Sequence, residues 1–563
     1  MNSSPLKIFT FNRDRAFTYI PKGLEKPAPA ILYGSGHAHV TKDGVILGNK
    51  TAYQHHAAWF ARHGYVCLVI DSLQLGEIEG IHHGTYRYKM WWWNSRGYTP
   101  AGVEAWNCIR ALDYLQTRKE VDANRFGVTG RSGGGIYSWW ISALDDRIKV
   151  AVPVAGITDL QNHVVDGCVE GHCDCMYMVN TFGWDYALVA ALVAPRPLLI
   201  SNSDKDTIFP LDGVVRLHEK VRNIYRLYDA EKNLGLNITE GPHKDTQELR
   251  IHAFVWFNRF LKDDSALIDK PAIPFFEPEQ LKVFKELPAD EINTRIHESF
   301  VPKNQQPVEN PAQQHRALLK ALREKSFGGW PAQGQAGPLN IRQVFSTERN
   351  GIHLSAFDFT SQPHVRLRLY LAHSSGVKRS EKVVLDVPDD QGWKQWLAGM
   401  RIDFADELKD ETLPEPNEDA FNHIRESLQD NNLVLAYVAP RGIGLTAWNP
   451  DERKQTQVRR RFMLLGQTLD GMRVWDVRRA IQVLHQIDLL DNVPVILKGQ
   501  RLTAGIVLYA SLFEPDIAGL DLWHLPGSHR DGPVFLNVLR YMDIPQAVAI
   551  ASKRTKVRIY PER

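Results

Sequence analysis

The chain has 563 residues, too many for one ordinary domain, and predicts two large units or three to four small ones. Hydrophobic residues at 44% and charged residues at 23% exclude wholesale disorder, and a net charge of +2 argues against nucleic acid as a partner. Five cysteines exclude a disulfide framework, and no apolar run of about 18 residues is present to span a membrane.

The first 262 residues alternate short apolar runs with amphipathic stretches, which is typical of an α/β domain with a mostly parallel sheet. Thr99-Pro100 predicts the start of one helix, and Asp245–Leu261 has the pattern of another. The predicted strands are the apolar runs Ala28–Tyr33, Val66–Ile70, Phe126–Thr129, Val150–Val154, Leu198–Ser201 and Leu236–Thr239.

Residues 263–340 predict a surface connector, because repeated prolines between Pro271 and Pro311 interrupt regular structure. One helix is expected in it, near Gln313–Lys325. From residue 341 a hairpin-like pair of strands leads into a second alternation of strands and helices that runs to residue 563.

This second alternation repeats the first. When Gly102–Gly130 is placed over Gly471–Gly499, a constant offset of 369, seven of the 29 positions are identical. A repeat of this length indicates two copies of one fold rather than a solenoid. An unrelated α/β domain is the alternative.

Gly130-Arg131-Ser132-Gly133-Gly134 is a G-x-S-x-G motif between a predicted strand and a helix-compatible run. A serine on such a tight turn stands clear of the sheet, and small neighbours let the backbone take the strained conformation. Ser132 is therefore the candidate nucleophile, and a glycine-rich turn without chemistry is the alternative.

The partners of such a serine follow in the order Ser…Asp…His. Asp206, in the loop after Leu198–Ser201, is the preferred carboxylate because its D-x-x-x-P setting suits a loop that enters a helix, and Asp204 is the fallback. His243 lies directly before the helix predicted over Asp245–Leu261 and is the candidate general base. Turn and helix-entry roles are the alternatives for these residues.

An oxyanion hole requires two backbone N–H donors. The amide of Gly133 follows the serine and opens a helix, so it is the first candidate. The second is expected from the loop after Ala28–Tyr33, at Gly36 or His37.

Residues 28–262 resemble the α/β-hydrolases of the acetyl xylan esterase and dienelactone-hydrolase-like group, relatives of the prolyl oligopeptidase catalytic domain. The segments that carry the resemblance are Gly130–Gly135, Ala194–Pro210 and Gly241–His243. The resemblance implies hydrolysis of carboxylic esters on carbohydrates through an acyl-enzyme, with no cofactor. With the internal repeat, the fold expected is two α/β-hydrolase-like domains, each a mostly parallel sheet covered by helices on both faces. Arg131 departs from the small residue usual at its position and is expected to shape the acyl or acid pocket.

The second copy fails as an enzyme by the same criteria. Gly499-Gln500-Arg501-Leu502-Thr503 places Arg501 where the nucleophile should be. A strand predicted over Ala547–Ala551 is followed by a loop without a carboxylate, and the sequence stops at Arg563 before a histidine loop. This predicts a degenerate hydrolase module.

The cysteine-rich segment Cys168–Cys175 invites a zinc interpretation, but C-x₄-C with C-x-C matches no common zinc spacing. A serine hydrolase needs no metal, so no metal is expected, and a structural zinc or a C-x-C redox pair are the alternatives. The preferred interpretation is an active-site wall in which His172 and Asp174 touch substrate. Aromatic residues of Ile81–Tyr98, among them Trp92 and Tyr98, are candidates for stacking on sugar rings, with a core position as the alternative.

The function expected is removal of acyl groups, first of all acetyl, from a polysaccharide or oligosaccharide. A methyl-ester or uronoyl esterase, a peptidase of the prolyl oligopeptidase kind and a non-enzymatic binding scaffold are the alternatives. The start of the sequence has no charged segment followed by an apolar one, so the chain as it stands is expected inside the cell unless a leader preceded Met1. The oligomeric state is left open.

Overall fold

The computed structural model of the protein describes residues 2–10, 12–176, 178–302, 311–332, 334–377, 379–429 and 432–561. The chain forms two compact units. The first comprises Met1–Met90 and Tyr98–Val301, and the second comprises Trp91–Gly97 and Pro302–Arg563.

The first unit is built on an eight-stranded sheet and a small hairpin, β4 with β5. Its strands are β1 (Asn2–Thr10), β2 (Asn12–Ile20), β3 (Ala28–Gly34), β4 (Thr41–Lys42), β5 (Val45–Ile46), β6 (Val66–Ile70), β7 (Val121–Arg131), β8 (Ile148–Val154), β9 (Leu198–Ser203) and β10 (Leu234–Thr239). The six predicted strands are all present, and the hairpin of β1 and β2 was not predicted.

The helices through residue 299 follow the predicted alternation. They are α1 (Gln54–Arg62), α2 (Gly84–Tyr88), α3 (Trp92–Arg96, part of the second unit), α4 (Pro100–Gln116), α5 (Gly133–Leu144), α6 (Leu160–Val164), α7 (Tyr186–Ala191), α8 (Leu211–Leu227), α9 (Gln247–Lys262) and α10 (Ile296–Ser299).

The large sheet has the strand order β1-β2-β6-β3-β7-β8-β9-β10. Strand β2 is antiparallel to both of its neighbours, and the strands from β6 to β10 are parallel. Alternate side chains of β3, such as Ile31 and Tyr33, join α1 and α9 in one hydrophobic core, while α4 and α5 also pack against β3. This is the predicted α/β-hydrolase architecture, and it brings the carboxyl ends of the parallel strands to one edge.

Residues 263–301 belong to the first unit instead of forming a connector. Gln54 Nε2 donates to the Phe276 carbonyl at 2.6 Å, and Trp59 Nε1 donates to the Lys270 carbonyl at 3.0 Å. The carboxylate of Glu77 accepts from the amide of Phe284 at 2.8 Å. The prolines break regular structure here, but side chains of the first unit bind the irregular backbone that results.

The second unit contains another eight-stranded sheet, with the order β11-β12-β13-β15-β14-β16-β17-β18. Its strands are β11 (Arg342–Arg349), β12 (Ile352–Gln362), β13 (Val365–Ser374), β14 (Lys382–Val387), β15 (Leu433–Val438), β16 (Val495–Gln500), β17 (Ile517–Trp523) and β18 (Lys556–Tyr560). Its further helices are α11 (Pro311–Lys325), α12 (Asp390–Phe404), α13 (Glu418–Ser427), α14 (Glu452–Leu464), α15 (Leu469–Leu484), α16 (Leu502–Phe513) and α17 (Ile544–Ala551).

The run β15-β14-β16-β17-β18 has the same order and parallel direction as β6-β3-β7-β8-β9. The predicted internal repeat is therefore a repeat of sheet topology. The prediction of a strand over Ala547–Ala551 is wrong, because these residues lie in α17. The N-cap residue of this helix, Asp543, forms a capping box, and its second residue is Pro545, a favourable position for proline. The strand equivalent to β9 is β18, so the loop over Ser552–Lys556 precedes that strand and does not follow it.

Across the part of the chain that the structure describes, the helices lack the length and apolar content that a membrane crossing requires.

Candidate active site

Ser132 lies in the turn between β7 and α5, with φ 57° and ψ −117°. A left-handed backbone is costly for a residue with a side chain, and the turn is stabilised because Ser132 N donates to the Val154 carbonyl at 2.9 Å. The turn also requires glycine two residues before and two residues after the serine, because a Cβ on Gly130 or Gly134 would collide with the Gly34 carbonyl. The sequence therefore forms the strained strand-to-helix turn that the G-x-S-x-G motif predicts.

The structure brings the three predicted catalytic residues together. His243 Nε2 lies 3.0 Å from Ser132 Oγ, and His243 Nδ1 lies 2.7 Å from Asp206 Oδ2. Asp206 is buried, and its other oxygen accepts from the amides of Ile208 at 2.9 Å and Phe209 at 3.0 Å. The carboxylate is thus fixed by its own loop and directs one oxygen at the imidazole.

Asp204 makes different contacts and does not reach the imidazole of His243. Its Oδ1 accepts from the amide of Gly241 at 2.8 Å, and Asp204 N donates to the Thr239 carbonyl at 2.9 Å. Asp204 therefore links the loop after β9 to the loop that carries His243, whereas Asp206 contacts the imidazole itself.

The predicted oxyanion loop packs against the elbow. A Cβ on Gly36 would lie 2.7 Å from the Arg131 carbonyl, and one on Gly133 would collide with the imidazole of His37. Within the described residues, neither Gly36 N nor His37 N donates to a backbone carbonyl, whereas Ala38 N donates to the Gly36 carbonyl at 2.9 Å. The loop that holds these two amides is thus in direct contact with the turn that presents Ser132.

Hydrogen bonds to buried side chains orient the imidazole of His37. Its Nε2 lies 3.1 Å from the Tyr137 hydroxyl, which donates to Glu104 Oε1 at 3.1 Å. Burial, with Cys175 and Glu104 nearby, raises the pKa of Tyr137 well above its ordinary value, so the hydroxyl remains a donor. Tyr137 lies in α5 and Glu104 in α4, each outside any motif, so no sequence pattern identified either residue.

A buried ionic network lies behind the elbow. His55 Nε2 and His56 Nε2 lie 3.0 Å and 2.9 Å from Asp245 Oδ2, and Arg250 Nη2 donates to the same oxygen at 3.0 Å. Burial alone would raise the pKa of Asp245, but the two histidines and Arg250 outweigh burial and hold it well below its usual range. Burial lowers the pKa of His56 to about 4.

Three of the predicted substrate-binding residues are buried. The side chain of Arg131 lines a pocket with Tyr33 and Asp245 inside the unit. His172 is 4% exposed, with Nε2 2.7 Å from the Ile208 carbonyl, and Asp174 is 2% exposed. These positions contradict the prediction of an open wall that touches substrate.

Asp174 has a structural contact that explains its burial. Its oxygens accept from the amide and the hydroxyl of Thr85 at 2.8 Å and 2.7 Å, at the start of α2. The carboxylate thereby stabilises that short helix.

The two aromatic candidates for sugar stacking are buried as well. Trp92 belongs to the second unit, where its ring lies 4.4 Å from the guanidinium carbon of Arg530. Tyr98 is 1% exposed, with ring centroids of His297 and Phe300 at 6.5 Å and 6.3 Å. Core packing explains both side chains, and neither ring face is open to a sugar.

The model of the prolyl oligopeptidase family matches residues 51–233, which include Ser132 and Asp206. "Putative hydrolase YtaP" of Bacillus subtilis (strain 168) is 27% identical over 252 residues, which are 44% of this chain and 83% of that protein. In sequence and in sheet topology, the first unit is thus similar to hydrolases of the α/β fold.

Solved structures similar to the chain include a glucuronoyl esterase from Solibacter usitatus, with 18% identity over 44% of this chain and 77% of that one, at a TM-score of 0.35. A second is a carbohydrate esterase family 15 glucuronoyl esterase from Caldicellulosiruptor kristjansonii, with 17% identity over 47% and 77% of the two chains and a TM-score of 0.35. A third, "Methylesterase BT1017", has 24% identity over 50% and 60% and a TM-score of 0.36.

Proposed function

We propose that the first unit is a serine esterase that removes acyl groups, in the first place acetyl groups, from carbohydrate through an acyl-enzyme. The observation that carries the proposal is the hydrogen-bonded line from Ser132 Oγ through His243 to Asp206, at 3.0 Å and 2.7 Å. A serine within reach of an imidazole that a buried carboxylate orients is an activated nucleophile.

In the acylation step, His243 Nε2 takes the proton of Ser132 Oγ as the oxygen attacks the ester carbonyl. Asp206 accepts from Nδ1–H, which keeps Nε2 free to act as the base and stabilises the imidazolium that forms. His243 then gives the proton to the leaving alcohol, and the acyl group stays on Ser132.

The developing oxyanion needs two donors. Gly133 N–H opens α5 next to the serine, and the helix dipole favours negative charge at this end. The second donor is the amide of Gly36 or His37, from the loop packed against the elbow. Water activated by His243 next attacks the acyl-enzyme and releases the acid.

The carbohydrate ester is preferred because of the motifs that this chain has in common with the acetyl xylan esterase group: the glycine-rich elbow, the Ala194–Pro210 segment and Gly241-Pro242-His243. The match to the prolyl oligopeptidase family supports a peptidase as the second candidate. Both chemistries use the same triad, so the leaving group decides between them.

The test is turnover of 4-nitrophenyl acetate, release of acetate and of methanol from a panel of plant and algal polysaccharides, and cleavage of a proline-containing peptide anilide. Wild type is compared with Ser132→Ala. We expect acetate release that is lost in the variant. Methanol release instead would assign an alkyl ester of an acidic sugar, and peptide cleavage would overturn the esterase proposal.

A further inference from the structure

Four metal-binding side chains converge beside the elbow from three separate loops of the first unit. His37 follows β3, His82 precedes α2, and Cys173 and Cys175 lie in the loop after β8. One ligand atom from each of the four lies within 4.8 Å of all the others. Because the residues are distant in sequence, no spacing pattern predicts this cluster.

We propose that His37, His82, Cys173 and Cys175 bind one Zn²⁺ ion. Two cysteines and two histidines are a common tetrahedral ligand set for structural zinc, with Zn–S of about 2.3 Å and Zn–N of about 2.0–2.1 Å. Such bond lengths place neighbouring sulfur and nitrogen ligands roughly 3.5 Å apart. His37 Nδ1 lies 3.5 Å from Cys173 Sγ, so this edge already has the length that a zinc site needs.

The burial of His82 supports the proposal. The residue is 0% exposed, and within the described part of the chain neither of its ring nitrogens makes a hydrogen bond. Its ring lies edge-on to His37 with centroids 4.6 Å apart. His82 Nδ1 lies 3.9 Å from Glu104 Oε1, beyond hydrogen-bond distance. Leaving a buried imidazole without a hydrogen bond costs free energy, and a metal bond would remove that cost.

The orientation of His37 is the one expected of a ligand. Metal-bound histidines donate their second N–H to a carboxylate, a carbonyl or a water, which fixes the tautomer. With Nδ1 on the metal, Nε2–H of His37 donates to the Tyr137 hydroxyl at 3.1 Å, and the hydroxyl donates to Glu104. Tyr137 is thus a positioning residue for the site.

The two sulfurs are separate thiols. Cys173 Sγ and Cys175 Sγ lie 3.0 Å apart, well beyond a disulfide bond of about 2.05 Å, and both cysteines are free. On binding Zn²⁺ each thiol loses its proton to solvent and becomes a thiolate ligand, so uptake releases protons and no electrons are transferred.

A second cluster, His163, Cys168 and His172, provides the matched control. Its three ligand atoms also lie within 4.8 Å of one another, but it has one ligand fewer among the described residues, and His172 Nε2 already lies 2.7 Å from the Ile208 carbonyl. Cys168→Ser therefore alters the same loop without removing a ligand of the proposed site.

The test is the zinc content of the full chain by elemental mass spectrometry, after incubation with Zn²⁺ under reducing conditions and removal of free metal. We expect about one equivalent in wild type and in Cys168→Ser, and a loss of at least about tenfold in Cys173→Ser and Cys175→Ser. Tyr137→Phe should keep the site but weaken zinc affinity by about 10- to 100-fold in a chelator competition.

A second measurement does not depend on whether the cysteine variants fold. Wild type stripped of metal and loaded with Co²⁺ should give the visible bands of tetrahedral cobalt and thiolate-to-cobalt charge transfer. Wild type that takes up neither ion, or zinc that is lost in Cys168→Ser and kept in Cys173→Ser, would overturn the proposal. The proposal would also be overturned if Cys173 and Cys175 form a disulfide in the purified protein and the protein still binds no metal once that disulfide is reduced.

Discussion

Ser132 and Arg501 have nearly the same rare backbone conformation at equivalent points of the two units. Ser132 has φ 57° and ψ −117°, and Arg501 has φ 50° and ψ −121°. Each residue connects a strand to a helix, and each amide donates to a carbonyl of the next strand: Ser132 to Val154 at 2.9 Å, Arg501 to Trp523 at 2.8 Å. The second unit therefore has the same strained turn, with Arg501 at the position that Ser132 occupies in the first unit.

Because the backbone at Arg501 is strained, we predict that Arg501→Gly stabilises the second unit. A non-glycine residue in this region costs of the order of 1–3 kcal/mol, and glycine relieves that cost but loses more entropy on folding. We expect a net gain of about 1 kcal/mol relative to Arg501→Ser, which removes the same guanidinium contacts but keeps a Cβ. The measurement is hydrogen exchange of α16 during thermal and urea unfolding, and equal stability of the two variants would contradict the prediction.

Asp206→Asn should lower kcat for ester hydrolysis by about 10⁴-fold. Oδ1 accepts from two backbone amides, so the NH₂ group of the asparagine would face His243 Nδ1 and donate to it. The imidazole would then carry its proton on Nε2, where it cannot take the proton of Ser132, and no carboxylate would stabilise the imidazolium. Asp204→Asn is the matched control two residues away. Its amide oxygen can still accept from Gly241 N, so kcat should stay within about tenfold of wild type. Steady-state kinetics of both variants decide the assignment, and a larger loss in Asp204→Asn would reverse it.

Gly134→Ala should destabilise the first unit by about 2–3 kcal/mol. The new Cβ would overlap the carbonyl oxygen of Gly34, and a backbone atom cannot shift without distorting the turn. Gly102→Ala is the control within α4. Its Cβ would only touch Phe300 at 3.4 Å, and alanine favours helix by up to about 1 kcal/mol. Denaturant unfolding of the two variants should give shifts of opposite sign, and equal shifts would mean that the elbow accommodates the methyl group.

The stability of the second unit should fall as the pH drops from about 6.5 to about 4. Burial lowers the pKa of His529 to about 4, from an unfolded value of about 6.5. Its Nδ1–H donates to the Pro533 carbonyl at 2.6 Å and its Nε2 accepts from the Tyr509 hydroxyl at 2.7 Å, so the folded state binds the neutral ring. Between these pH values the unfolded chain binds the extra proton, and stability is lost as pH falls.

The loss over this interval is of the order of 3 kcal/mol. Hydrogen exchange of α16 as a function of pH measures it, and His529→Gln, which does not titrate, should have a flatter pH dependence even if it is less stable throughout. An unchanged slope in that variant would assign the pH dependence to other groups.

The sequence predicted the parts of this molecule that depend on local pattern. The strands of the first sheet and the strained elbow follow from apolar runs bounded by turn residues and from the G-x-S-x-G motif. The strand predicted over Ala547–Ala551 was wrong because a short apolar run fits a helix as well as a strand. Here the N-cap residue Asp543 stabilises the helix.

Other features depend on tertiary packing that no local pattern reveals. Trp92 has the chemistry of a sugar platform, but α3 belongs to the second unit and the ring is buried there. His37, His82 and the two cysteines meet only because three loops end at the same edge of the sheet. The contact between Asp206 and His243, by contrast, was predictable because strand order fixes where their loops lie.

Covalent labelling tests most directly whether Ser132 is the nucleophile. The full chain is treated with a fluorophosphonate, and the adduct is counted by intact mass and located by peptide mapping. One adduct on Ser132, absent from Ser132→Ala and formed far more slowly in His243→Ala, is the predicted result. Labelling at another residue, or ester hydrolysis at the wild-type rate in Ser132→Ala, would contradict it.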